Sequence, residues 1–284
     1  MDALLVTQSI NVVYGIATLA ILALGLAVIF GLLGVLNLAH GELIMLGAYC
    51  AWVTQAHGWP FLAAVPLALA VCGALGALVE WALIRPLYRR PFDTLVATWG
   101  LSLLLRKSVE ALFGLGYKSV SMPLQGTVRV LDSPYPAYRV ALIVLSVAVL
   151  AALILWYGRS GTGTRIKAMV GNPELAQALG IPVKRLAAGT FVVGCCLAGL
   201  GGVMVAPLVP VQPYMGLDYI LQSFFVLVVG GLGSVLGLLS GAAVIGGANG
   251  IVSALFNATY GYFTVLVLAI LFLWLRPRGI YARS

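Results

Sequence analysis

Residues 159–185 read RSGTGTRIKAMVGNPELAQALGIPVKR. The stretch holds Arg159, Arg165, Lys167, Lys184 and Arg185 against a single acid, Glu174. It is a polar island in a chain that is otherwise almost continuously apolar. The 284 residues are 62% hydrophobic and 8% charged, where a soluble domain carries roughly a quarter charged residues. Mean hydropathy is +1.08. In lipid, helices satisfy all their backbone hydrogen bonds internally. The sequence therefore predicts an all-α fold: a polytopic transmembrane helical bundle, one domain over 1–284, with the island as its long cytoplasmic loop.

Outward from the loop, apolar runs reach the roughly 17–25 residues that a bilayer crossing needs. They predict spans near 9–30, 35–56, 61–84, 94–113, 138–157, 186–207, 236–256 and 258–275. A shorter run, 219–232, either crosses with its neighbour or re-enters, so the count is about eight or nine. The first run follows Asp2 without a basic leader and is read as a retained span.

The net charge of +8 raises nucleic acid as a partner, but its distribution points elsewhere. Basic residues gather at Arg85, Arg89 and Arg90, in the long loop, and at Arg276, Arg278 and Arg283. Clusters beside apolar runs follow the positive-inside rule and predict three cytoplasmic faces, the C-terminal one included. Segments 114–137 and 207–218 then lie outside. Nine crossings would put the N-terminus outside, and eight would put it inside. Cys50, Cys72, Cys195 and Cys196 sit in apolar runs without a CxxC pair. They predict neither a disulfide framework nor a metal site.

Glycine occurs 34 times, often at small-xxx-small spacing, as in Gly194, Ala198 and Gly202 or Gly237, Gly241 and Ala242. Such faces let helices approach closely in lipid. The other use of glycine is to break a helix near a substrate path. Val35-Leu36-x-Leu38-x-x-Gly41 recurs as Val235-Leu236-x-Leu238-x-x-Gly241, a weak parallel repeat.

Polar groups within apolar runs mark candidate pathway positions. Asn37, His40 and Glu42 lie between Gly34 and Gly47, with Gly41 among them. Two readings stay open: they line or kink the path, or they cap neighbouring helices at the cytoplasmic interface. Gly230, Gly231 and Gly233 form a second candidate break. Arg106 and Glu110 are one turn apart and can pair; with Lys107 they are expected to snorkel toward an interface or pair within the bundle, or else to form a polar patch near the substrate route. His-Gly-Glu at 40–42 is no HExxH, and the chain has only 2 histidines, so a metal enzyme is not predicted.

Within the loop, Asn172 is placed to cap a helix, Pro173 fits its first turn and Glu174 suits its positive end. Gly180 and Pro182 end it. A helix of about two turns is marginal alone and needs a surface to pack against. Leu175, Ala176 and Leu179 supply a small apolar face for a partner's groove. No GxxxxGK[ST] motif occurs, so the chain has no ATP site of that kind. Energy for active transport would come from a separate subunit or an ion gradient.

The segments NLAHGELIMLGAY (37–49), RPLYRRPFDTLVATWGLSLLL (85–105), GNPELAQALGIPVKR (171–185), TFVVGCCLAGLGGVM (190–204) and VVGGLGSVLGLLSGAAVIG (228–246) together resemble the permease subunits of ABC importers for branched-chain amino acids and for urea or short-chain amides. The resemblance covers nearly the whole chain. It implies a bacterial inner-membrane permease with no catalytic residues and no cofactor. The helix at 172–180 would be a coupling helix docked on one of two cytoplasmic ATPase subunits. A second, similar permease chain would complete the pore, and an extracytoplasmic binding protein would deliver substrate. Segment 91–105 looks closer to the urea and amide permeases, while branched-chain amino acid stands as the broader family expectation. A stand-alone secondary transporter or channel is the rival class.

Overall fold

The computed structural model describes residues 3–88, 90–130, 133–231, 235–276 and 279–281. Its elements are α1 (Ala3–Leu33), α2 (His40–Ala56), α3 (Ala64–Val79), α4 (Pro91–Phe113), a hairpin of β1 (Thr127–Val130) and β2 (Ser133–Pro136), α5 (Ala137–Arg159), α6 (Gly161–Gly171), α7 (Pro173–Ala178), α8 (Val183–Val205), α9 (Met215–Gly230), α10 (Val235–Leu255) and α11 (Ala258–Leu275). Among the described residues, five helical segments are long and apolar enough to cross a membrane: Leu5–Leu33, Phe61–Leu87, Ala137–Arg159, Val183–Leu208 and Leu236–Leu255. The fold is an all-α membrane bundle with, among the described residues, one small antiparallel hairpin.

The centre is built from α1 and α8. Helix α8 packs on α1, α2 and α3, and α1 packs on α10, α5 and α9. In the most apolar stretch of α8, 67% of residues are buried, against 17% for α5. That contrast separates a core helix from a rim helix. Gly194 sits against Ile29 and Gly25 of α1, Gly47 against the carbonyl of Gly199, and Gly202 against the carbonyl of Ile44. These seams use small residues as expected for helices that gain no hydrophobic drive from lipid.

Local rules explain most element ends. Gly34 takes φ +67° and stops α1, a conformation that costs glycine least. Pro91 opens α4 at its first turn. Ser160 accepts from the N–H of Gly163 at 2.9 Å and separates α6 from α5. The long loop therefore carries two helices, α6 and α7, where the sequence predicted one. The run 219–232 belongs to a separate 16-residue helix, α9, packed on α10. After α3 the chain passes through a π-turn, Glu80–Ile84, where Arg85 Nη2 meets the buried Glu80 carboxylate at 2.9 Å.

One end of the bundle gathers the basic segments. Leu32, Leu33, Tyr88, Tyr157, Ile166, Met169 and Leu186 pack in one cluster. Residue 280 donates to the carbonyl of Val229 at 3.0 Å, bringing the segment after Arg276 to the end of α9. At the opposite end, Tyr135 of the hairpin donates to Asn11 at 2.7 Å. There the backbones of Lys118 and Val211 also pair.

Candidate functional site

Between α1 and α2 the chain does not fold back as a surface loop. Residues 34–39 are non-helical, and His40 Nε2 lies 2.9 Å from the carbonyl oxygen of Leu22. A carbonyl only accepts, so Nε2 carries the proton. Leu22 lies 11 residues (33 − 22) before the end of α1, about 16 Å along its axis. The segment thus re-enters the bundle, and α2 begins inside it. Irregular backbone at that depth needs protein partners. Asn37 Oδ1 accepts from the N–H of Ala39 at 3.0 Å, and Thr98 Oγ1 accepts from the N–H of Leu38 at 3.1 Å.

Thr98 belongs to a stripe along α4. The buried residues of that helix are Thr94, Thr98, Ser102, Arg106 and Val109, close to a repeat of four and so on one face. The opposite face exposes Phe92, Val96, Trp99 and Leu103. Helix α4 is apolar outward and polar inward, and its polar stripe covers the break. Glu42 is met by that stripe: its Oε1 accepts from Arg106 Nη2 at 2.7 Å and from Ser102 Oγ at 2.9 Å. Arg106 also donates to Ser102 Oγ at 3.0 Å.

The pairing of Arg106 with Glu110 that their spacing allows is overturned. Glu110 instead takes Lys107 at 2.7 Å and the Tyr214 hydroxyl at 2.9 Å. The Tyr214 ring lies 5.4 Å from the Arg106 guanidinium carbon. His40 and Glu42 are both buried inside the bundle, 1% exposed or less. Three buried atoms of this group have no protein partner: His40 Nδ1, Glu42 Oε2 and Arg106 Nε.

Helix α9 begins at the same place. A side-chain carbon on Gly41 would overlap the carbonyl of Gly216, and one on Gly216 would lie 2.8 Å from Glu42 Oε2. The first turns of α2 and α9 therefore touch inside the bundle. Around these helix starts stand the buried Glu42–Arg106 pair and, on Tyr214 at the start of α9, the more exposed Lys107–Glu110 pair. Ser102 and Tyr214 went unnoticed in the sequence, although the spacing of Thr94, Thr98, Ser102 and Arg106 carried a legible signal.

Gly230 and Gly231 lie far from this junction. Gly230 packs on the carbonyl of Gly237, and Gly231 sits under Tyr281. The N–H groups of Ile280 and Tyr281 donate to the carbonyls of Val229 and Gly230, each at 3.0 Å. Gly233, named with them from the sequence, falls outside the described residues.

At the basic end, Asn172 Oδ1 accepts from the N–H of Leu175 at 2.9 Å, with Pro173 next to it in the first turn. Gly180 takes φ +79° and ends the turn. Leu175, Leu179 and Glu174 point out, with Leu179 72% exposed. Ala176 does not share that face. It is buried and turned toward its own chain. Behind α7, Gly163 of α6 rests on the backbone of Tyr157, and Ile166 and Met169 pack with Ala187 of α8. A cavity of about 460 Å³ opens nearby, lined by Leu24, Val28, Trp156, Arg185, Thr190 and Leu236 among others. Among the described residues no cluster of His, Cys, Asp and Glu could hold a metal ion.

The profile of a family described as branched-chain amino acid transport system / permease component matches residues 9–275. The chain is 27% identical over 285 residues to the high-affinity branched-chain amino acid transport system permease protein LivH of Escherichia coli, covering 94% of this chain and 92% of that one. Against the permease protein BraD of Pseudomonas aeruginosa, which carries the same description, identity is 27% over 283 residues with the same coverage. The solved structure of PsaBC from Streptococcus pneumoniae in complex with Fab aligns with a TM-score of 0.54 at 13% identity. That alignment covers 95% of this chain and 92% of that one, a likeness of fold.

Proposed function

We propose, from the premise that this chain belongs to the branched-chain amino acid transport system permease family, that it forms half of the translocation path of an ABC importer. Two cytoplasmic ATPase subunits drive it, a second and similar permease chain completes the path, and an extracytoplasmic binding protein delivers substrate. The chain itself makes and breaks no covalent bond. On this reading the bundle crosses the bacterial inner membrane eight or nine times, with its basic end in the cytoplasm, as positive-inside placement favours.

The observation that carries the reading is α7. It is a short helix capped at both ends, held from behind by Ala176 and exposing Leu175, Leu179 and Glu174 at the basic end. A helix this short is marginal alone, so an exposed apolar face on it suits docking. A groove of the ATPase would take Leu175 and Leu179. The push passes through α6 into α8 by way of Ile166, Met169 and Ala187. From α8, the glycine seams carry it to α1 and α2, and so to the break at 34–39. Nucleotide states of the ATPase must bind the two bundle arrangements unequally for the cycle to turn.

Branched-chain amino acids are the favoured cargo because the relatives are described by that transport. Urea or a short-chain amide is the alternative raised by segment 91–105. Co-purifying the chain with candidate ATPase subunits and its binding protein, then measuring ATP-driven uptake of leucine against urea, tests both. Transport by the chain alone on an ion gradient, undiminished by deletion of 172–180, would sink the ABC reading.

A further inference from the structure

Resting on the amino acid permease reading, we propose that the junction of α2 and α9 is a transit site for a zwitterionic α-amino acid, with Arg106 receiving its carboxylate and Glu42 its ammonium. The Glu42–Arg106 pair is buried, with side chains 1% and 9% exposed. It is joined through one carboxylate oxygen only. Glu42 Oε2 and Arg106 Nε are left without partners. A half-satisfied buried ion pair is costly, and a charged pair at membrane depth marks a functional site by default. The two spare atoms are one acceptor and one donor, which complement an ammonium and a carboxylate.

The exchange balances in charge. In the resting arrangement one carboxylate faces one guanidinium. With ligand present, Glu42 faces an ammonium and Arg106 faces a carboxylate, so one ion pair becomes two and no net charge enters. Low local polarity strengthens both. The helix starts at His40 and Met215 add their positive ends, which favour an anionic ligand group. Entry requires α4, which brings Arg106 and is buried along a single stripe, to tilt away. Urea or an amide carries no charge and cannot replace either partner of the pair.

The test is ligand-observed NMR on the full chain, assembled with its partner permease and ATPase subunits in nanodiscs and without the binding protein. The probes are leucine, 4-methylpentanoate, 3-methylbutylamine and acetamide. Leucine should bind, and each single-charge analogue should be weaker by at least about 30-fold, the effect of removing one partner of a buried charged contact. Glu42→Gln should invert the order, so that 4-methylpentanoate binds better than leucine. A purely structural ion pair would not produce that inversion. If Glu42→Gln fails to assemble, the analogue series on the unaltered chain decides alone.

Equal binding of leucine and both analogues would overturn the site, as would acetamide binding as well as leucine. ATP-driven leucine uptake together with a flat analogue series refutes the site while leaving the transport reading intact. Urea uptake in place of leucine refutes both.

Discussion

Gly202→Ala should separate α2 from α8, and the cost can be worked from the seam. A side-chain carbon at 202 would overlap the carbonyl oxygen of Ile44, with the carbonyl carbon at 2.8 Å and the Ala48 nitrogen at 3.0 Å. These are backbone atoms of a helix and cannot turn aside. Restoring ordinary contact moves the helices apart by about an ångström, a gap that forfeits a quarter to a half of each dispersion contact along the seam. Overpacking of this kind costs roughly 1–3 kcal/mol. Gly189 lies in the same helix with no atom within 4 Å of a carbon added there. Gly189→Ala should therefore be neutral or gain about 0.5–1 kcal/mol from reduced backbone freedom. Unfolding of the purified chain in mixed micelles, titrated with dodecyl sulfate and followed by circular dichroism, reads both. Equal shifts for the two variants would refute the argument, because propensity alone would then account for them.

Arg106→Gln leaves the Glu42 carboxylate buried with only Ser102 and should cost about 3–5 kcal/mol in the same titration. The Glu42→Gln, Arg106→Gln double variant should recover much of that loss. Asn172→Ala removes the bond to the Leu175 N–H and should cost about 1 kcal/mol. Faster hydrogen exchange over 173–179 and reduced ATP-driven uptake are the expected signs. Leu179→Asp should abolish uptake while the bundle's unfolding midpoint stays put. Normal uptake and normal assembly with the ATPase would count against a docking role for α7.

What the sequence made legible was local. Asn172, Pro173 and Gly180 determine their own turn, so the bounds of α7 follow from neighbours a few residues away. Gly34 likewise announced a break. The depth of that break was not legible, because it depends on His40 meeting Leu22 and on Thr98 of a distant helix. The Arg106–Glu110 pairing failed for the same reason. Spacing of one turn allows a pair on an isolated helix, but a carboxylate 64 positions away (106 − 42) in the core competes better. In β2 the prolines of Ser133–Pro136 hid a strand that tolerates them at an edge. Ala176 has the right polarity for an exposed apolar face, and only packing against its own chain shows that it points inward.

The bonds from Ile280 and Tyr281 to Val229 and Gly230 bear on how the chain is made. The end of α9 is finished by residues that leave the ribosome about fifty positions later (280 − 229 = 51). At roughly 5–20 residues per second, α9 waits seconds with its last carbonyls open while α10 and α11 are synthesised and inserted. A chain that ends between positions 256 and 275 and has left the ribosome should thus expose the end of α9 to protease, and a chain extending past 281 should protect it.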